Sequence, residues 1–195
     1  MENEKDHAYV NAQGWAGTIA ELVAALECDY DRLEVLRDER QDLIDAVTEA
    51  AEAREADPCE ETESAHHEAM AAEAEWYEEN SEELAELTAA ATYEGELQKD
   101  NESVRERIQE SPLSVEVRSG WYSPTGEAQL PEDFMILLST GGPALRIRGE
   151  LSEHCEPQRA WLEYQDWGTP WTEYHGEGCE HETLLTFCQQ FYFGE

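Results

Sequence analysis

The residues with the clearest potential for chemistry are glutamates that recur at helical spacings of three and four in the middle of the chain. They are Glu75, Glu78, Glu79, Glu82, Glu83 and Glu86. Like charges at these spacings repel one another by about 0.2–0.5 kcal/mol per pair, so stability alone does not favour them. Carboxylates accept strong hydrogen bonds from Lys and Arg. We therefore predict that these six glutamates bind a basic partner; the alternative is a solvated helix face that serves only solubility.

The segment that carries these glutamates, residues 60–97, has a helical pattern with thirteen Glu and no Asp, Lys or Arg. A helix of that length extends about 57 Å, over which duplex DNA carries on the order of 34 charges. The antiparallel helix expected over residues 21–57 brings the predicted hairpin to a net charge of −22. This charge density lies between that of one DNA strand and two. It predicts salt-sensitive competition for a site built for phosphates.

The chain as a whole is strongly acidic, with 47 acidic and 12 basic residues among 195 and a net charge of −35. Such a charge argues against direct binding to DNA, RNA or an anionic membrane, and it favours basic partners. No apolar run is long enough to span a bilayer. Five scattered cysteines without a signal peptide favour free thiols in a reducing cytoplasm.

The elements that position the glutamates follow from apolar periodicity. Thr18 is the predicted N-cap of a first helix that continues to Arg54, with Asp29 and Arg40 as register-fixing polar residues in its core stripe. The stripe consists of Ile19, Leu22, Leu26, Leu33, Leu36, Leu43 and Val47. Asp57-Pro58 ends that helix, and an alanine-rich helix follows. The pattern predicts a coiled-coil-like hairpin, and the surplus leucines predict a homodimer.

After a short third helix that ends at Glu110, the pattern changes to strands. The predicted strands cover residues 113–118, 134–139, 144–151 and 160–165, and a final helix covers residues 180–193. We therefore predict an α+β fold, in which an acidic N-terminal helical hairpin region (1–110) precedes a small α+β domain with an antiparallel sheet and one helix (111–195). A fragment from residue 111 onward is expected to fold alone.

Sites for enzymatic or metal chemistry are weakly supported by the sequence. Gly141-Gly142-Pro143 lacks the Lys-Ser/Thr ending of a phosphate-binding loop and is predicted to be a hairpin turn. His66 and His67 point about 100° apart on a helix, which disfavours a shared metal ion. Other His and Cys residues match no zinc spacing; they are His154, Cys155, His175, Cys179 and His181. No nucleophile motif is present, so we predict a protein that is not an enzyme and has no cofactor.

An aromatic segment follows the last predicted strand, at residues 164–171, and contains Trp167 and Trp171 beside an aspartate and a proline. One interpretation is a corner packed over the sheet. The other is an exposed aromatic recognition loop, in which both tryptophans bind a partner. We predict that these tryptophans add specificity to the acidic surface.

Several stretches of the chain resemble a known family. ILLSTGGPALRIRGEL, AWLEYQDWGTPWTEY and FCQQFYFGE, together with ALECDYDRLEVLRDER near the front, resemble small uncharacterised proteins of proteobacterial phages and mobile elements. The resemblance implies an accessory protein of mobile DNA in the host bacterial cytoplasm, without catalytic residues.

By charge alone, the chain is similar to DNA-mimic inhibitors of CRISPR and restriction complexes. That analogy predicts an anti-CRISPR or anti-restriction inhibitor that acts by stoichiometric binding. The alternative is a coiled-coil adaptor or scaffold that holds a protein partner without mimicry.

Overall fold

The protein has an α+β fold, which the computed structural model describes over residues 7–121, 123 and 129–194. The helices within these residues are α1 (His7–Glu27), α2 (Tyr30–Ala56), α3 (Glu60–Ala90), α4 (Asn101–Glu110) and α5 (His181–Cys188). The strands are β1 (Thr92–Tyr93), β2 (Glu96–Leu97), β3 (Ser114–Ser119), β4 (Pro131–Ser139), β5 (Ala144–Leu151), β6 (Pro157–Gln165) and β7 (Thr172–Glu173). The predicted fold class is confirmed.

The chain divides into two compact units whose bounds differ from the expected division after Glu110. The first, the hairpin unit, is Cys28–Lys99 and contains α2, α3, β1 and β2. The second, the sheet unit, combines Met1–Glu27 with Asp100–Glu195. The difference arises because α1 packs on β5, β6, α4 and α5. The apolar residues at the front of the chain therefore cover the sheet instead of extending the hairpin.

The hairpin unit consists of α2 packed antiparallel on α3. The antiparallel order is visible in its contacts, since Arg32 binds Glu83 and Glu39 binds Trp76. Its buried core lies at one end of the pair and comprises Cys28, Leu33, Leu36, Leu84 and Ala91. The predicted helix pair is thus confirmed, although its first helix is shorter than expected.

The predicted continuous helix from Thr18 to Arg54 is wrong. Thr18 lies inside α1, and the chain leaves helical geometry after Glu27. Asp29 is the N-cap of α2, where its side chain accepts a hydrogen bond from the Arg32 N–H at 2.9 Å, so it does not fix register in a core stripe. The periodicity concealed the break because Leu26 and Leu33 remain seven residues apart on either side of it.

The acidic helix ends at Ala90, so the last seven residues of the segment 60–97 lie outside it. Beyond it, β1 and β2 form a small antiparallel ribbon. Glu94 (φ 50°) and Gly95 (φ 77°) occupy its turn, and two consecutive positive φ angles are typical of a type I′ hairpin turn. The Glu-Gly pair is the sequence signal that marks this end of the helix.

The main sheet has five antiparallel strands in the order β3-β4-β5-β6-β7. Four of them correspond to predicted strands, and the two-residue β7 was not predicted. Ile136, Ile147 and Leu162 lie side by side across the middle strands and are fully buried. The turn at Gly141-Gly142-Pro143 joins β4 to β5, as predicted for a hairpin.

The buried face of this sheet is covered by helices. From α1, Ile19, Leu22 and Val23 are buried, and from α5, Leu184 and Phe187 are buried. Alanines at every fourth position of α1 allow close packing; they are Ala8, Ala12 and Ala16. Helix α4 packs on α1 through its own buried side chains. The core of the sheet unit therefore depends on residues from both ends of the chain.

Replacing Gly149 by alanine is expected to lower the free energy of unfolding of the sheet unit by about 2–3 kcal/mol. A Cβ at this position in β5 would overlap the Arg159 carbonyl oxygen and the ring of Phe134. Gly14→Ala is the matched control, because its Cβ meets no atom within 4 Å. In the helix α1 it should stabilise by roughly 0.5–1 kcal/mol. Urea unfolding measures both changes, and equal effects would contradict the close approach at Gly149.

Candidate functional site

The exposed side of α3 carries a continuous line of carboxylates, which we call the α3 ridge. At 100° per residue, its eight members lie within an arc of roughly 100° that faces away from the buried Leu84. They are Glu60, Glu61, Glu68, Glu75, Glu78, Glu79, Glu82 and Glu86, and all are exposed. The ridge is about 39 Å long at 1.5 Å per residue. No Lys or Arg occurs anywhere on α3.

Five of the six predicted partner-binding glutamates belong to the α3 ridge, and Glu83 does not. Arg32 of α2 donates two hydrogen bonds to the Glu83 carboxylate, from Nε at 3.0 Å and from Nη2 at 2.7 Å. The same pairing keeps the pKa of Glu83 below its ordinary value. Glu83 is therefore engaged in joining α2 to α3, which leaves its charge compensated.

A second line of carboxylates, the α2 ridge, lies on the exposed side of α2. Its seven members fall within roughly 80°, opposite the buried Leu33 and Leu36. They are Asp31, Glu34, Asp38, Asp42, Asp45, Glu49 and Glu52, and all are exposed. The four arginines of α2 lie outside this arc. The hairpin unit thus presents two base-free acidic lines on opposite sides, within a net charge of −19.

Sequence reasoning missed the α2 ridge and the first three members of the α3 ridge. The available signal was the seven-residue repeat of Glu61, Glu68, Glu75 and Glu82, which keeps one helical face over three intervals. In α2 the four arginines obscured the pattern. They become separable from the acids only when each residue is placed by its angle around the helix.

Between Leu36 and Leu84 no residue of the hairpin unit is fully buried. The seam there is half-buried, with Leu43, Ile44 and Val47 on α2 and Trp76 on α3. The Trp76 indole N–H donates a hydrogen bond to Glu39 at 3.0 Å, which ties the two helices together. Packing is thin in this part of the hairpin, and most outward positions carry charge.

The neighbouring histidines of α3 have separate partners. His66 lies 3.1 Å from an Arg54 nitrogen, and His67 Nδ1 lies 2.8 Å from the Glu63 carbonyl oxygen. Within residues 7–121, 123 and 129–194, no group of three or more His, Cys, Asp or Glu side chains is arranged to hold a metal ion.

In the sheet unit, Trp167 and Trp171 occupy different environments. Trp171 is half-buried, and the Arg146 guanidinium carbon lies 4.0 Å from the centre of its ring. Trp167 is 77% exposed, yet one part of its indole lies so close to Gly142 that a Cβ there would overlap it. The segment therefore combines both interpretations, since Trp171 packs over the sheet and Trp167 offers an open aromatic surface.

The face of the sheet away from the helices collects basic side chains. All four arginines after residue 110 lie on it, as the strand register shows; they are Arg118, Arg146, Arg148 and Arg159. Carboxylates on the same face pair with three of them. The most buried such pair joins Arg146 Nη2 to Glu163 Oε2 at 2.6 Å. This balance makes the face nearly neutral.

A cleft of about 640 Å³ beside β6, β7 and α5 brings Cys179 together with His175 and His181. Burial raises the pKa of the Cys179 thiol to about 11. At neutral pH the sulfur is therefore protonated, whereas a catalytic cysteine needs a thiolate. His175 Nδ1 lies 3.8 Å from a carboxylate oxygen, Glu173 Oε1.

No known protein family matches this chain, and neither the curated proteins nor the solved structures compared with it give a match. Among the described residues, no helix has both the length and the apolar character needed to cross a bilayer.

Proposed function

We propose that this protein is an acidic inhibitor that binds a nucleic-acid-binding defence complex of a bacterial host, in the place of the nucleic acid. It acts by stoichiometric binding in the host cytoplasm, in line with the resemblance to proteins of phages and mobile elements. The hairpin unit makes the contact. Its target is an anti-phage machine with a basic groove, such as a CRISPR or restriction complex.

The observation that carries this proposal is the α3 ridge, with eight exposed carboxylates in one line and no base on the helix. One strand of duplex DNA carries about eleven charges over the same 39 Å. The ridge therefore reaches roughly three quarters of the charge density of a DNA strand, on a scaffold that is already ordered. The α2 ridge adds a second line, as the second strand does in a duplex.

The sheet unit contributes specificity under this proposal. Trp167 offers an exposed indole with a guanidinium-stacked Trp171 close by in sequence. Aromatic side chains in such positions bind through apolar contact and cation–π interaction, which salt weakens little. The ridges would supply long-range attraction and the tryptophans short-range selection.

The second candidate function is an adaptor that holds a protein partner through the hairpin seam. The half-buried Leu43, Ile44 and Val47 favour it, because a further helix laid along the seam would cover them. An adaptor of this kind binds mainly through apolar contacts. Its complexes should persist at high salt, whereas a DNA mimic should release its target.

The experiment that separates the two is capture of host proteins on the immobilised full chain, followed by elution with duplex DNA and then with high salt. Mass spectrometry identifies each fraction. The inhibitor proposal expects a nucleic-acid-binding complex in the DNA eluate. Proteins that leave only under denaturing conditions, with none displaced by DNA, would favour the adaptor.

A further inference from the structure

The edge strand β3 exposes apolar side chains that belong to the core face of the sheet. Val115 is paired with Ile136 and Val117 with Phe134, so the valines lie on the same face as these two residues. Ile136 and Phe134 are buried, whereas Val115 is 37% and Val117 is 46% exposed. The core face therefore continues onto β3, where the described residues leave both valines partly exposed.

Two further exposed apolar residues flank β3 along the chain. Leu113 is 59% exposed and Trp121 is fully exposed. Within β3, Val115 and Val117 alternate with Ser114, Glu116 and Arg118, whereas Leu113 precedes the strand and Trp121 lies two residues beyond its end. The irregularity at this edge lies in β4, since Arg118 pairs with Asp133 and Ser119 with Pro131, which leaves Glu132 as the extra residue. β3 itself remains a regular strand.

Within the described residues, β3 pairs only with β4, so its other side has backbone groups that no strand takes up. A regular apolar edge of this kind readily adds another strand. The sequence of β3 indicates which strand fits, because Glu116 and Arg118 flank Val117 symmetrically. We propose that two copies of this chain pair antiparallel through β3, about a two-fold axis at Val117.

This register is selected by charge and by face. With Val117 opposite Val117, Glu116 of each copy lies opposite Arg118 of the other, and the favourable pair occurs twice by symmetry. Centring the pair on Glu116 would place two glutamates opposite each other, and centring it on Arg118 would oppose two arginines. A shift by one residue would place valines opposite charged residues.

Continued past the ends of β3, the same register also involves the two apolar residues that flank the strand. Counting outward from Val117, Val115 lies opposite Ser119, and beyond the strand ends Leu113 would come level with Trp121 of the other copy. The valines of the two copies then form one apolar surface across the joined sheets. This interface differs from the dimer expected from the leucine stripe, since Leu33 and Leu36 are buried inside the hairpin unit.

Charge exchange in the full-length protein tests the register. Glu116→Arg places two arginines opposite each other at two positions, and Arg118→Glu does the same with glutamates. Each change alone is expected to weaken dimerisation roughly tenfold or more, as measured by sedimentation equilibrium. An equimolar mixture of the two variants should recover dimers, because every cross-pair in the mixed dimer joins opposite charges. Glu153→Arg is the control for Glu116→Arg, because it makes the same charge change at an exposed position away from β3.

The possible outcomes are distinct. Dimers that weaken in both single variants and return on mixing support the proposal. A wild-type chain that stays monomeric at its highest soluble concentration overturns it and leaves β3 to a strand of another protein. Dimers that neither variant weakens, or that mixing does not restore, also overturn it. If a variant unfolds by circular dichroism, hydrogen exchange of the wild type decides, since the β3 amides should gain protection with concentration.

Discussion

Replacing five members of the α3 ridge by glutamine is expected to weaken binding to a basic nucleic-acid-binding target by about a thousandfold. The five are Glu75, Glu78, Glu79, Glu82 and Glu86. Glutamine keeps the length and helix propensity of glutamate, so the change removes charge and little else. Glu83 is left in place because its bond to Arg32 holds the helices together.

The same variant should fold at least as well as the wild type. Repulsion between carboxylates three and four residues apart disappears, and each such pair costs about 0.2–0.5 kcal/mol. A higher melting temperature together with weaker binding would separate the role of the ridge in recognition from any role in stability. Residual binding should also depend less steeply on salt, because fewer ionic contacts remain.

Affinity for the complex recovered by capture is measured at two ionic strengths for the wild type, the variant and a charge-matched control. The control changes five exposed glutamates of the sheet unit to glutamine; they are Glu21, Glu106, Glu110, Glu153 and Glu156. It alters the net charge equally, so it reports the effect of overall charge. If the variant and the control lose affinity equally, the α3 ridge is not a specific binding surface.

Excising the hairpin unit is expected to leave a folded sheet unit that has lost target binding. Glu27 and Asp100 can be joined by a few glycines, because the Asn101 side-chain amide donates to the Leu26 carbonyl oxygen at 2.6 Å and the two chain ends are therefore close. The net charge changes from −35 to −16. Cooperative urea unfolding and near-ultraviolet circular dichroism test the fold.

The comparison for this excision is the fragment of residues 111–195, which the sequence alone predicts to fold by itself. It lacks Ile19, Leu22 and Val23 of α1, and burial of three such side chains contributes roughly 5–9 kcal/mol. That is comparable to the whole stability of a typical domain. The fragment should therefore be unfolded or molten, and a stable native fragment would show that α1 is dispensable.

Sequence reasoning predicted the elements of this protein better than their grouping. The strands were identifiable because alternation such as that in Leu145, Ile147 and Gly149 reflects a local geometry. The membership of α1 in the sheet unit was not identifiable, because an apolar stripe shows that a helix is covered and not what covers it. The break at Asp29 was hidden by a seven-residue spacing that continued across it.

The candidate site was predicted in part for a related reason. Five glutamates of the α3 ridge share a face through helical spacing, which is a property of the sequence alone. The engagement of Glu83 by Arg32 depends on how α2 is aligned with α3, over a separation of 51 residues. Such pairings are decided by tertiary packing, so periodicity could not distinguish Glu83 from its neighbours.

Because Glu27 and Asp100 lie close together in the sheet unit, the length of the hairpin can change without a change in the sheet unit. Seven residues added to α2 and seven at the matching level of α3 would extend the hairpin by about 10 Å while keeping each ridge on its own face. The insertion would leave the sheet unit unchanged, because the chain would still leave it after Glu27 and re-enter it at Asp100. Under the proposed function, such heptad insertions would match the two ridges to a longer groove.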